Sequence, residues 1–147
     1  LLHRITAKFL RTAQDKGLVL RMIPSTAAIC SDPMLLDQIL CNLVSNAIQY
    51  TKSGKVLIGC RRRGSMLRIE VWDTGIGIPE EKRNFIFNEF YQIDNPARDR
   101  DKGLGLGLAI VNHTARLLKH RIELRSSANG SVFSVAAPLT CISHQEA

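Results

Sequence analysis

Apolar residues recur every three or four positions between Pro33 and about Thr51, which is the spacing of one face of a helix. Asp32 is a preferred N-cap residue, and proline fits the first helical position because its missing N–H needs no partner there. The pattern therefore predicts one long helix with this face in the core. The face consists of Leu36, Ile39, Leu40, Leu43, Val44, Ala47 and Tyr50.

Three other segments carry helical patterns. The first ends at Gly17, a typical helix stop, and we interpret it as the end of a longer helix. The second is a short helix holding Phe85, Phe87 and Phe90, and the third runs from a glycine-rich stretch to about Lys119. The apolar positions of the first segment are Leu1, Leu2, Ile5 and Phe9.

Alternating apolar and polar residues predict strands in the rest of the chain. "KVLIGCRRR" and "MLRIEVWD" form one predicted hairpin, and "RIELRSS" and "SVFSVAAP" form another around Asn129 and Gly130. "LVLRMI" and "AAIC" are predicted as two strands around a turn at Pro24. Together these elements predict an α+β fold, a two-layer α/β sandwich in which helices cover one face of a mostly antiparallel mixed sheet.

Composition adds little to this prediction. The chain has 147 residues, about one domain, and its 45% hydrophobic and 22% charged residues are typical of a globular protein. The sequence shows no run of ~18 apolar residues and no signal-peptide pattern, so we expect a cytoplasmic domain. The four cysteines have neither metal-ligand nor CxxC spacing, which favours reduced, apolar side chains over a zinc site or disulfides.

The net charge of +7 is what a nucleic-acid-binding protein would carry, but the basic residues are only modestly clustered. Arg61, Arg62 and Arg63 lead directly into Gly64 and Ser65, which favours a solvated hairpin tip. We therefore expect no nucleic-acid partner. The positive charge suits an anionic ligand of any size.

The predicted long helix also has a polar stripe. Asn42 and Asn46 lie one turn apart and point the same way, although asparagine is a poor helix former. One interpretation is a solvated helix face, and the other is that Asn46 supplies an amide oxygen to a Mg²⁺ ion that also holds substrate phosphates. The stripe consists of Gln38, Asn42, Ser45, Asn46 and Gln49.

Asp73 ends a predicted strand and opens the loop "DTGIGIP". It shares the parity of the apolar positions before it, so its carboxylate turns toward the core side, where a charge needs a hydrogen-bond donor. The amino group of adenine is such a donor, and Gly75 and Gly77 would let the backbone approach a flat base. The alternative is an ordinary Asp-Thr-Gly turn.

The stretch "DKGLGLGLAIV" has glycine at every second position. A strand here would place three glycines on one face, and a dinucleotide loop requires GxGxxG spacing after a parallel strand. The remaining interpretation is a flexible loop whose amides, around Leu104 to Leu108, turn toward a phosphate at the start of the following helix.

In order and spacing, "NLVSNAIQYT", "DTGIGIP", "FNEF" and "GLGLGLAIV" resemble the N, G1, F and G2 boxes of the histidine kinase catalytic and ATP-binding domain, of the Bergerat ATPase superfamily. The resemblance runs from about Leu18 to Pro138. It implies that residues 1–16 are the stub of a preceding helix from the dimerisation and acceptor region. Residues 17–138 would be the ATP-binding catalytic domain, and residues 139–147 a tail or linker.

The resemblance implies a site for ATP and Mg²⁺. The catalytic residues would be Asn42 and Asn46, with Asn46 as the ligand of Mg²⁺ and Asn42 supporting it, while Asp73 would bind the adenine amino group. The implied ATP contacts are Asn46, Gln49, Tyr50, Asp73, Gly75, Gly77, Ile78, Arg98, Lys102, Gly103, Leu104, Gly105, Leu106, Gly107 and Leu108.

A lid of about residues 91–104 is also implied, hinged by the glycines. Within it Arg98, Arg100 and Lys102 would either contact phosphate or remain solvated loop charges. Phe87 and Phe90 would pack the base of the lid as core residues.

The implied activity is that of a protein histidine kinase, in which this domain transfers the γ-phosphate of ATP to a histidine on a separate domain. The chain's own histidines do not lie in an acceptor pattern. An ATP-hydrolysing clamp, as in the gyrase or heat-shock branches, would carry Glu where this chain has Asn42. Gln49 and Leu104 depart from the residues that many family members carry. A nucleotide-binding pseudokinase switch is the other alternative, and Gln49 is its best support.

The implied partners belong to two-component signal transduction. They are the histidine-bearing dimerisation domain of the same kinase and a response-regulator receiver domain downstream in a phosphorelay. We expect the full-length protein to be a homodimer and this chain alone to be a monomer, in the cytoplasmic portion of a bacterial sensor kinase.

Overall fold

A computed structural model of the chain describes residues 1–88 and 106–140, in which three α-helices and a five-stranded sheet form the fold. The helices are α1 (Leu2–Asp15), α2 (Pro33–Tyr50) and α3 (Gly107–Leu118), with a short 3₁₀-helix at Glu80–Lys82. The strands are β1 (Val19–Met22), β2 (Lys55–Arg63), β3 (Met66–Asp73), β4 (Arg121–Ser127) and β5 (Gly130–Pro138). None of the helices in these two ranges is both long and apolar enough to cross a membrane.

The sheet has the strand order β1-β2-β3-β5-β4. β1 pairs with β2 in parallel, and the other three neighbouring pairs are antiparallel. α1 contacts β1, α2 contacts β2 and β3, and α3 contacts α2 and β4. Since the apolar sides of the strands are buried beneath these helices, the predicted two-layer α+β sandwich with a mixed sheet is confirmed.

α2 forms because Asp32 caps its first turn and because its apolar residues lie on one face, which packs in the core. Asp32 Oδ1 accepts hydrogen bonds from the amides of Met34 at 2.9 Å and Leu35 at 3.0 Å, which confirms the predicted N-cap. The predicted apolar face is also confirmed, except that Tyr50 is only half-buried. The fully or almost fully buried residues of this face are Leu36, Ile39, Leu40, Leu43, Val44 and Ala47.

α1 ends two residues before Gly17, as the helix stop predicted, and packs into the core through Ile5. The Lys16 ammonium donates to the carbonyls of Ile48 at 2.7 Å and Gln49 at 2.8 Å, in the last turn of α2. Those carbonyls have no partner within their own helix, and a cation is favourable at a helix C-terminus. Lys16 therefore ties the end of α1 to the end of α2.

The second hairpin and the last helix are confirmed. β4 and β5 are joined by a two-residue turn at Ala128 and Asn129, since Ser127 pairs with Gly130. α3 ends at Leu118, and the following residue, Lys119, adopts a left-handed conformation with φ of 58°.

The prediction of a strand at "AAIC" is wrong. This segment makes a single isolated bridge, from Ile29 to Leu139, and Cys30 N donates to Pro138 O at 2.8 Å. The segment leaves β1 and crosses to the far end of β5, and within the described ranges it forms no longer ladder there. Alternation indicates an extended segment, but a strand also needs a neighbour.

The short helix predicted around the phenylalanines is also wrong, because the described part of this segment contains only the 3₁₀-helix followed by turns. Phe85 and Phe87 are two positions apart, so they cannot share a helical face. Ile86 between them is the buried residue. Phe87 packs edge-on against Phe133, with ring centroids 6.3 Å apart, in keeping with its predicted core role.

The first hairpin buries one charged residue on its polar side. Glu70, which alternates with the apolar residues of β3, is only 1% exposed. Arg61, Arg62 and Arg63 are all exposed, as predicted, and Arg61 Nε also lies 2.8 Å from Glu70 Oε1. Pairing with a basic side chain explains how a carboxylate can be buried on this face.

Candidate functional site

Asp73 lies at the last position of β3, half-buried, with one carboxylate oxygen held by the backbone. Its Oδ1 accepts hydrogen bonds from the amides of Gly75 at 2.9 Å and Ser131 at 3.2 Å. Burial raises the pKa of this carboxyl, and the two amides act in the opposite direction. Oδ2 has no hydrogen-bond partner among the described residues, so it can accept one from a ligand.

The loop after Asp73 meets the end of α2 at Gly75. A Cβ at position 75 would lie 2.5 Å from the carbonyl oxygen of Tyr50, 3.0 Å from Asp73 Oδ1 and 3.1 Å from Thr51 Oγ1. The Thr51 hydroxyl is itself fixed, since it donates to Ala47 O at 2.7 Å. Only glycine therefore fits between the end of α2 and the Asp73 carboxylate.

A network from another part of the chain holds the far side of the same loop. Gly77 is buried with φ of 73°, a left-handed conformation that glycine adopts without strain. The next amide, of Ile78, donates to Ser126 Oγ at 2.7 Å. Arg83 Nε donates to Ile78 O at 3.2 Å, and Arg83 Nη2 donates to Ser126 O at 2.8 Å. The loop is thereby fastened to β4.

Ser126 and Ser131 pair across the second hairpin, and their hydroxyl oxygens are 2.8 Å apart. Ser131 also pairs with Asp73 across β3 and β5, which brings its amide to the carboxylate. Sequence reasoning missed both serines and Arg83. The tight turn at Asn129 could have placed the two serines opposite each other, but no sequence signal showed that β5 lies beside β3.

On α2, Asn42 of the polar stripe lies beside the first turn of α3. Asn42 Nδ2 donates to Gln38 O at 2.9 Å, and a Cβ at Gly107 would lie 3.3 Å from Asn42 Oδ1. Asn46 is half-buried, and its side chain has no hydrogen-bond partner within the described ranges. The amide oxygen of Asn46 is thus available to a ligand. Gln49, on the same stripe, is also half-buried.

α3 begins directly after the glycine stretch. Its N-cap position is Leu106, which has no capping side chain, and its first turn carries no acidic residue. The first amides of a helix lack intrahelical partners and carry partial positive charge, so the amides at Gly107 and Leu108 favour an anion. Both residues are half-buried.

Several predicted residues lie outside the described ranges. They are Phe90, Arg98, Lys102, Gly103, Leu104 and Gly105, with the lid of about residues 91–104. The other predicted site residues lie in two groups, one at the C-terminal end of α2 and one toward its middle. The group at the C-terminal end consists of Gln49, Tyr50, Asp73, Gly75, Gly77 and Ile78. The group toward the middle consists of Asn42, Asn46, Leu106, Gly107 and Leu108.

The fold, with an acidic side chain held at the end of β3 beside two closely packed glycines, defines a domain of the histidine kinase catalytic type. The family model described as "Histidine kinase-, DNA gyrase B-, and HSP90-like ATPase" matches residues 31–140. That match covers well over half of the chain, and the chain belongs to this family.

Curated relatives and solved structures agree with the family. Sensor histidine kinase RcsC of Escherichia coli (strain K12) is 36% identical over 142 residues, covering 94% of this chain and 15% of that protein. Circadian input-output histidine kinase CikA of Synechococcus elongatus is 35% identical over 147 residues, covering 93% of this chain and 20% of that protein. The chain therefore spans a fifth or less of the length of these two relatives.

Among solved structures, full-length ShkA in complex with AMPPNP matches with a TM-score of 0.83 and 29% identity, covering 95% of this chain and 29% of that one. The catalytic domain of histidine kinase ThkA matches with a TM-score of 0.76 and 26% identity, covering 95% of this chain and 92% of that one. The second comparison covers nearly all of both chains, so the described fold is that of a histidine kinase catalytic domain.

Proposed function

We propose that this chain is the ATP-binding catalytic domain of a sensor histidine kinase, and that it transfers the γ-phosphate of Mg-ATP to a histidine on a separate domain. The observation that carries the proposal is the Asp73 carboxylate, which has one oxygen held by two backbone amides and the other directed to no described partner. A half-buried carboxylate in this arrangement is a fixed acceptor for a ligand N–H.

Adenine is the base that suits this acceptor. Its exocyclic amino group donates to a carboxylate, whereas guanine has a carbonyl at the equivalent place and would oppose it. Gly75 leaves no side chain between Asp73 and the end of α2. The Asp73 carboxylate would therefore select adenine by a charge-assisted hydrogen bond. The flat base would lie against the glycine-containing loop.

The phosphates would lie near the contact between α2 and α3, where Gly107 is beside Asn42. Asn42, beside Gly107, and Tyr50, beside Gly75, are eight positions apart, so the two contacts are separated by about 12 Å along the helix at 1.5 Å per residue. An extended nucleoside triphosphate has a comparable length. The base would lie at Asp73 and the triphosphate at the N-terminus of α3, where helix amides favour anions.

Mg²⁺ fits the donor set at this end. Asn46 would hold it, since a neutral amide oxygen is a hard ligand and the amide has no competing bond to a described residue. When bound, Mg²⁺ neutralises charge on the phosphates of ATP. The role of this chain is then to orient the γ-phosphate so that an imidazole nitrogen forms a bond to phosphorus while the bond to the β–γ bridging oxygen breaks, leaving ADP.

Asn42 argues against steady ATP hydrolysis. Its amide nitrogen donates to Gln38 O, and an amide has no basic group to take a proton from an attacking water. A hydrolysing clamp therefore lacks its general base at this position. Transfer to an imidazole does not need one, because a neutral imidazole nitrogen is already nucleophilic.

The acceptor would be the histidine-bearing dimerisation domain, which α1 would join as the end of a preceding helix. A receiver domain of a response regulator would take the phosphoryl group afterwards. The sensor-kinase names of the relatives and the AMPPNP bound to ShkA support these proposals.

The test is phosphoryl transfer between this chain and the histidine-bearing domain of its own parent protein. With γ-labelled Mg-ATP we expect acid-labile, base-stable label on that domain, and with α-labelled ATP we expect none. ATP binding without any label would replace the proposal by a nucleotide-binding switch, and sustained release of phosphate by this chain alone would replace it by an ATPase clamp.

A further inference from the structure

The sheet face that points away from the helices carries an ordered group of charged residues around the chain's single tryptophan, Trp72. Glu70 Oε1 lies 2.8 Å from Arg61 Nε, and Glu70 Oε2 lies 3.4 Å from Arg125 Nη2. Both guanidinium groups also lie over the Trp72 ring, with their central carbons 5.8 Å and 5.6 Å from its centroid. These four residues, from three strands, form what we call the arginine cluster.

The arginine cluster holds its guanidinium groups in fixed positions. The Glu70 side chain is only 2% exposed, whereas those of Arg61 and Arg125 are 56% and 60% exposed. Burying a carboxylate costs free energy that its ion pairs only partly recover. The result is two oriented cations at the surface, each with N–H donors left over after its bond to Glu70. A fixed guanidinium recognises a carboxylate with little loss of entropy.

An open cavity of about 300 Å³ lies directly beside the arginine cluster. Gly59 lines the cavity without a side chain, and the Ile23 side chain, in a residue that is 54% exposed, lines it as an apolar wall. This volume accommodates an apolar side chain. The cavity is lined by Ile23, Leu57, Gly59, Cys60, Arg61, Glu70 and Trp72.

Positive charge dominates this face of the sheet. By strand parity it carries six arginines against two glutamates, and one of the glutamates is buried in the arginine cluster. The arginines are Arg21, Arg61, Arg63, Arg68, Arg121 and Arg125, and the glutamates are Glu70 and Glu123. A complementary ligand therefore has carboxylates around an apolar group.

From these features we propose that this face docks an acidic protein segment, with an apolar side chain in the cavity and carboxylates on the flanking arginines. Arginine and tryptophan are the residues most often found at the energetic centre of protein interfaces. Nucleic acid fits less well, because bases need an open aromatic surface for stacking, and two guanidinium groups already lie over the Trp72 ring. The exposed apolar residue that lines the cavity, Ile23, is aliphatic and offers no ring for a base to stack on.

The probe is a short capped peptide of glutamates around one central leucine, titrated into the chain without ATP. Because Trp72 is the only tryptophan, its fluorescence reports directly on this face. We expect a saturable change in emission that weakens as salt is added. A peptide with lysines in place of the glutamates, and one with serine in place of leucine, should bind at least about tenfold more weakly.

Two variants that leave Glu70 and its ion pairs intact locate the site. Ile23→Ser removes the apolar wall and Arg21→Ala removes one exposed charge, and each should weaken peptide binding by about fivefold or more. Arg11→Ala, an equal loss of charge on exposed α1 surface, is the matched control and should bind as the parent does.

The proposal is overturned if emission shows no saturable change, if both variants bind like the Arg11→Ala control, or if a single-stranded oligonucleotide of thymidines binds more tightly than the acidic peptide. Asp73→Asn should leave peptide binding unchanged, since the cavity is not the nucleotide pocket. A failure of ATP binding is therefore distinguishable from a failure of docking.

Discussion

At the scale of single residues, Asp73 is where stability and ligand binding oppose each other. Its carboxylate is half-buried at the end of β3, and burial raises its pKa even though two amides donate to Oδ1. Folding without a ligand is therefore less favourable for the charged form than for the neutral one. A donor from a ligand would stabilise the charge and recover that free energy.

Replacing Asp73 by asparagine separates the two effects. The asparagine carbonyl can keep both backbone hydrogen bonds, but its NH₂ group would then face the adenine amino group, donor against donor. We expect ATP affinity to fall by about tenfold or more, measured by calorimetry, with no loss of folding stability. Unchanged affinity would remove Asp73 from the adenine site.

The pH dependence of stability gives the matching test. Because the folded pKa of Asp73 lies above its ordinary value of 3.8, the folded protein binds the proton more tightly than the unfolded chain does. As pH rises from about 3.8 through the folded pKa, ionisation of this carboxyl therefore lowers the free energy of unfolding. Above the folded pKa the loss is complete. The difference in unfolding free energy between Asp73→Asn and the parent should grow in favour of the variant over that range, and a constant difference would contradict the assignment.

At the scale of elements, α2 is the scaffold on which both halves of the site are built. Its middle meets Gly107 through Asn42, and its end meets Gly75 through Tyr50. A helix is a rigid spacer, so under the proposed function the distance between the base and phosphate contacts would follow from the number of residues between them. Lys16 and Asp32 fix its two ends through backbone hydrogen bonds.

The N-cap of α2 offers a direct test of local stabilisation. Asp32→Ala removes the acceptor for two amides, and we expect the free energy of unfolding to fall by about 1 kcal/mol in urea denaturation. Asp15→Ala, at the exposed end of α1, is the control and should change it by less than about 0.5 kcal/mol. Equal losses in the two variants would show that the cap contributes nothing specific.

At the scale of the whole molecule, the strand order decides what surrounds the pocket. β5 lies between β3 and β4, so Ser131 comes beside Asp73 and the Ser126 hydroxyl comes to the loop amide of Ile78. These contacts join positions 48 and 58 residues apart in sequence. The loop after Asp73, where we propose the nucleotide binds, is therefore bordered on one side by the last hairpin.

Ser126→Ala tests this long-range connection. Without the hydroxyl the Ile78 amide loses its acceptor, and we expect unfolding free energy to fall by about 1 to 2 kcal/mol. ATP affinity should fall by about fivefold, because the loop spends less time in the binding conformation. Ser126→Thr should restore both, and Ser65→Ala, on the exposed turn between β2 and β3, should change neither. An intact affinity in Ser126→Ala would show that the loop holds its shape without β4.

The sequence by itself determined the elements whose cause is local. Periodicity and the Asp32 cap predicted α2, alternation predicted both hairpins, and the order of four glycine- and asparagine-containing motifs predicted the family. The same local reading failed at "AAIC", where a partner strand was missing, and at Phe85, where spacing did not suit a helix.

Only the tertiary structure decided which distant residues complete those motifs. It placed Ser126, Ser131 and Arg83 around the loop after Asp73, and it buried Glu70 on the sheet face away from the helices. The physical reason is that a hydrogen bond or an ion pair depends on distance in space, while a sequence pattern records only distance along the chain. Strand order and register decide which residues distant along the chain become neighbours in space. Strand order and register cannot be read from any single segment.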